Sequence, residues 1–103
     1  MYDRTEDKAW AITLHDGDDV AVMASTGVAG QNCIIRGPSG QAEITLTTDV
    51  PFAHKVALRA LKAGDVVKKF GYPIAKMSCD VPAGSHIHTH NVAGARATLR
   101  GKE

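Results

Sequence analysis

Trp10-Ala11-Ile12-Thr13-Leu14-His15 alternates apolar and polar side chains with a period of two, and Val20-Ala21-Val22-Met23 follows more loosely. That is the pattern of strands with one buried face. Asp16-Gly17-Asp18-Asp19 between them is small, polar and φ-permissive, so the pair is expected as a hairpin. Cys33-Ile34-Ile35 and Glu43-Ile44-Thr45-Leu46-Thr47 form a second pair around Gly37-Pro38-Ser39-Gly40, a turn that neither strand can run through. Further on, Val66-Val67-Lys68-Lys69-Phe70 and Ile74-Ala75-Lys76-Met77-Ser78-Cys79 are β-prone runs parted by Gly71-Tyr72-Pro73.

One segment reads otherwise. Lys55-Val56-Ala57-Leu58-Arg59-Ala60-Leu61-Lys62 is rich in helix formers and Gly64 stands where it could end them, which predicts one short helix. Strands this short, with Gly or Pro turns every few residues, predict a mainly β, barrel-like or clip-like small domain. Residues 1–8 are expected as a tail, 9–92 as the domain and 93–103 as a second tail.

Composition narrows the picture. A chain of 103 residues holds one domain, since single cores usually run to about 100–150 residues. A core of that size is marginal, which favours association with another subunit, a homo-oligomer included. The formal net charge is +1 and five residues are aromatic, so neither a broad field nor a stacking platform is available for nucleic acid. The charged N-terminus leads into no long apolar run, and the expectation is a cytoplasmic protein without a membrane span. Cys33 and Cys79 form no spaced framework and are expected as reduced thiols.

The chemistry concentrates in Gly84-Ser85-His86-Ile87-His88-Thr89-His90-Asn91. In extended backbone, alternation puts His86, His88 and His90 on one face, with successive Cα atoms ~6.5–7 Å apart. Imidazoles so placed suit a metal or acid/base work near neutral pH, without a carboxylate or thiolate to select the ion. An exposed strand with histidines bonded to backbone or water is the plainer alternative. Pro51-Phe52-Ala53-His54-Lys55 offers a second imidazole and a cation for a carboxylate, or, as plainly, a solvated His-Lys pair at a turn. His15 with Asp16, Asp18 and Asp19 could hold a hard cation, but without the spacing of a Ca²⁺ loop the segment reads as a solvated turn.

An internal echo connects the two histidine segments: Asp49-Val50-Pro51 precedes His54, and Asp80-Val81-Pro82 precedes His86. Each proline halts a strand, so two similar corners could bring histidines to one place. No GxSxG, phosphate loop, GxGxxG after a strand, or CxxC is present, which removes self-contained hydrolases and nucleotide enzymes from consideration.

Taken together, His15 through Val22, Asp49 through Leu58, Lys68-Lys69-Phe70-Gly71-Tyr72-Pro73-Ile74 and Gly84 through Asn91 resemble the SAF-type small domain of the altronate and galactarate dehydratase family. The same domain occurs as the small subunit of sulfolactate sulfo-lyase. The resemblance implies a β-clip fold and a lyase that removes water, or sulfite, from a hydroxy acid. It further implies a larger catalytic partner that mainly holds the metal, iron or another divalent ion. The chain ends soon after Asn91, which fits a separate small subunit.

By that resemblance His54, His88 and His90 are candidate catalytic residues, and Lys55 and Asn91 are candidates for binding substrate. His86, His88 and His90 are the candidate metal-facing set. Ala53 stands where the family usually has glycine, as does Ala75, and Asp16 replaces a common proline. Ala53 matters if its position needs φ > 0. A non-catalytic module for acidic sugars and a metal-buffering protein are the readings from other classes.

Overall fold

The computed structural model describes residues 8–88 and Val92. Eight strands follow in order: β1 (Ala9–Ile12), β2 (Val20–Met23), β3 (Asn32–Gly37), β4 (Gly40–Thr45), β5 (Lys55–Ala57), β6 (Val66–Lys69), β7 (Tyr72–Lys76) and β8 (His86–Ile87). Six form one sheet in the order β4-β3-β1-β2-β5-β8, and β6-β7 is a separate ribbon. All pairings are antiparallel except β1 with β3. The two expected hairpins form, and the two later β-prone runs pair as a third, turning at Phe70-Gly71 so that Tyr72 and Pro73 enter β7. Pro73 sits at the register shift opposite Lys68, where a missing amide donor is tolerated.

The predicted helix is absent among the described residues. Lys55–Ala57 is instead the strand β5, held between β2 and β8. Val56 and Ala57 are fully buried, Val56 in a core with Met23, Leu46 and Val50, and Ala57 in another with Leu61, Met77 and Ile87. Adjacent residues entering different cores demand the period of a strand. That burial outweighs the helix propensity of a segment too short to be a stable helix alone.

The two cores reflect a duplication that the Asp-Val-Pro echo marks. Gly27 and Val50 exchange backbone hydrogen bonds, as do Leu61 and Val81. Ala29 donates its amide to Asp49, and Ala63 donates to Asp80 in the same way. Gly30 donates to the Leu46 carbonyl and Gly64 to that of Met77; Ala53 donates to Met23 and Gly84 to Ala57. The two corners therefore share one hydrogen-bond plan, with Ala53 (φ 72°) in one and Gly84 (φ 88°) in the other. An L residue in the left-handed region costs ~1–2 kcal/mol, and glycine regains most of that. Ala53→Gly is expected to stabilise the fold by about 0.5–1 kcal/mol in urea denaturation, with the m-value unchanged.

The acidic turn departs from expectation. Asp18 and Asp19 are only 8% and 7% exposed, so the second half of the turn is a buried anchor, while Asp16 and Gly17 stay exposed as expected. Asp19 accepts from the Lys68 amide at 2.8 Å and from Arg59 Nε at 3.0 Å, while Asp18 accepts from the Gly71 amide at 2.7 Å. With these oxygens engaged, the turn clamps the β6-β7 ribbon onto the sheet. Asp19→Asn keeps the shape but removes the charge that holds Arg59, at an expected cost of about 2 kcal/mol by the same assay.

Cys33 is buried and Cys79 exposed, and both are free thiols. Burial pushes the Cys33 thiol up to about 11, which leaves it inert as a nucleophile near neutral pH. Among the described residues no helix is long and apolar enough to cross a membrane.

Candidate functional site

The first corner delivers His54 and the second delivers His86 and His88. Val50 is pinned against Gly27, Pro51 ends that pairing, and positive φ at Ala53 turns the chain into β5. On the other side Val81 pairs with Leu61, Pro82 follows, and Gly84 turns the chain into β8. A Cβ at Gly84 would collide with the Thr45 carbonyl oxygen, so only glycine fits there. The register Lys55↔Ile87 and Val56↔His86, carried one step outward, sets His54 opposite His88.

Three imidazoles meet as a result. His54 Nδ1 and His86 Nε2 are 2.8 Å apart, a hydrogen bond in which one nitrogen carries the proton and the other accepts it. The His54 ring stacks on His88 at 4.2 Å between centroids, and His86 stacks on His88 at 5.6 Å. One ligand nitrogen from each residue lies within 4.8 Å of the other two. His86 is steadied by its own amide, which donates to Thr48 Oγ1 at 2.9 Å, and the adjoining Ser85 hydroxyl bonds Thr47 Oγ1 at 2.8 Å.

The donor set suits a first-row divalent cation. Imidazole nitrogens on one such ion are about 3 Å apart, which side-chain rotation can reach from this arrangement. The ion would take the place of the proton between His54 and His86. Without metal, the same pair is a short path for a proton between two corners.

Lys55, adjacent to His54, lines a cavity of about 260 Å³ with Lys69, Ile74, Ala75, Ile87, His88 and Val92. Burial first, and the positive charge of Lys69 second, lower the Lys55 ammonium from its ordinary range. An anion entering the cavity would offset both effects.

Of the residues singled out from sequence, His54, Lys55, His86 and His88 come together, and the expected face shared by His86 and His88 is present. The triad here is completed by His54. His90 and Asn91 lie outside the described residues. His15 is engaged elsewhere, its Nδ1 accepting the Gly17 amide and its ring packing beside Gly71. Lys69, Thr48 and Ser85 were not foreseen as neighbours of the cluster; only the position of Thr48 and Ser85 beside the corners could have suggested them.

A mainly β domain whose duplicated corners present imidazoles and a lysine is of the SAF type. The chain matches the family described as the altronate/galactarate dehydratase SAF domain over residues 9–95, and it belongs to that family. It is 46% identical over 59 residues to the (2R)-sulfolactate sulfo-lyase subunit alpha of Paracoccus pantotrophus, covering 57% of this chain and 88% of that one. Its counterpart from Chromohalobacter salexigens is 35% identical over 81% of this chain and 93% of its own length. The altronate dehydratase of Bacillus subtilis is 34% identical over 78% of this chain but only 15% of its own. The relatives thus include chains of similar extent and chains several times longer.

Proposed function

We propose that this chain is the SAF-domain subunit of a hydroxy-acid lyase of the altronate/galactarate hydro-lyase type, completing the active site of a larger metal-dependent chain. The observation that carries this reading is the meeting of His54, His86 and His88 beside the Lys55 cavity.

In such a reaction the proton α to the substrate carboxylate is removed, the β hydroxyl departs as water, and the resulting enol tautomerises to a 2-keto acid. Lys55 pairs with the carboxylate and holds the negative charge that grows as the proton leaves. His54, with His88 stacked on it, accepts or returns a proton at its imidazole, and His86 keeps that ring oriented through the 2.8 Å bond. By the family resemblance His90 is a further acid/base candidate and Asn91 a further substrate-binding one. His54, His86 and His88 could also lend imidazole nitrogens to a divalent ion, iron or another, held mainly by the partner, and that ion would supply Lewis-acid help to the departing group.

The extent of the match to the two alpha subunits, 88% and 93% of their lengths, favours a second reading in which the β group leaves as sulfite. Proton removal and carboxylate binding are unchanged; only the leaving group differs. The tagged chain expressed in its source organism, recovered with whatever larger chain accompanies it, is to be assayed with altronate, galactarate and sulfolactate. Formation of a 2-keto acid from one of them supports the reading, and release of sulfite selects its second form. No keto acid from any of the three would contradict both.

A further inference from the structure

The cavity beside the imidazoles is lined by a second ammonium besides that of Lys55. Lys69, at the end of β6, lines the same largely apolar cavity as Lys55, with Ile74, Ile87 and His88. Among the described residues no carboxylate stands within ion-pair distance of either ammonium. The contact Lys69 does make is with the Phe70 ring, at 5.2 Å.

Two like charges lining one largely apolar cavity repel each other, and among the described residues no carboxylate offsets them. Their placement is nevertheless fixed firmly. Lys68, just before Lys69, accepts the Asp19 amide at its carbonyl and donates its own amide to the Asp19 carboxylate, and Gly71, two residues on, donates to Asp18. The buried acidic turn therefore brackets Lys69 from both sides. Lys55 in turn is set by pairing with Val22 and Ile87.

We propose that Lys55 and Lys69 form a two-cation site whose ligand carries two negative charges. The proposal rests on the lyase reading insofar as that ligand is a hydroxy acid. The second charge can belong to a second acidic group on the substrate, or to a single carboxylate that gains charge as its α proton leaves. Both present a dianion to the same pair of ammonium groups.

The test uses the full chain alone, titrated at low salt slightly above neutral pH and followed through its backbone amide resonances. The probes are glycolate with one charge, malate with two separated charges, and hydroxymethylphosphonate with two charges on one group. At least one dianion is expected to bind about fivefold more tightly than glycolate. Malate as the favoured probe assigns the second charge to a second acidic group, and the phosphonate assigns it to a single headgroup. Lys69→Gln should erase the preference and leave glycolate binding nearly unchanged, whereas Lys69→Arg should keep the preference. Equal affinities in the native chain, no binding of any probe, or a preference that survives Lys69→Gln would overturn the proposal. Because no partner is present, these outcomes are separate from failure to recover a larger lyase chain.

Discussion

In the assembled enzyme, His54→Ala is expected to lower turnover by about 10²–10⁴-fold, the range lost when a positioned acid/base imidazole is removed. His54 makes two close contacts within the cluster, the 2.8 Å bond to His86 and the 4.2 Å stack on His88. Its loss should also weaken divalent metal binding by at least about a hundredfold, measured with Co²⁺ from its visible absorption. The substitution sits beyond the first end of β5 and removes no core side chain, so the amide spectrum should stay dispersed and the partner should still bind. Turnover within threefold of the native complex, with assembly intact, would remove His54 from the chemistry.

Gly84→Ala is expected to be the most damaging single change to the fold. Its φ of 88° already penalises any Cβ, and that Cβ would also meet the Thr45 carbonyl oxygen. Left-handed strain of ~1–2 kcal/mol and a clash with backbone that cannot step aside add to an expected loss of about 3 kcal/mol or more. In a domain of this size each kcal/mol moves the melting temperature by roughly 4–8 °C, so a drop of 12 °C or more is the predicted reading. Ala53→Gly at the equivalent corner moves the opposite way, which makes the pair a test of the duplication itself. A Gly84→Ala protein that melts within a few degrees of the native one would show that the corners are not built alike.

Much of this architecture was legible in turn chemistry. Gly37-Pro38-Ser39-Gly40 and Asp16-Gly17-Asp18-Asp19 announced their hairpins, because glycine, proline and aspartate dictate backbone shape locally. The alternation that grouped His86 with His88 was equally local. Lys55 to Lys62 misled because propensity is weak beside the burial of Val56 and Ala57 in separate cores, which only the pairing of β5 with β2 and β8 decides.

The candidate site followed the same division. The Asp-Val-Pro echo hinted that His54 and His86 could converge, but their 2.8 Å contact depends on two corners more than thirty residues apart in sequence. The burial of Asp18 and Asp19 could not be read from an acidic turn, since their partners Arg59, Lys68 and Gly71 come from later strands and connections. Lys69 was one residue of a β-prone run until the ribbon brought it to the cavity that Lys55 lines.

The most direct measurement is elimination by the larger chain recovered with this protein, assayed alone and again after this chain is added back. Keto-acid formation that appears only in the mixture, and that a His54→Ala chain fails to restore, is the predicted result. Full activity of the larger chain by itself would contradict the account.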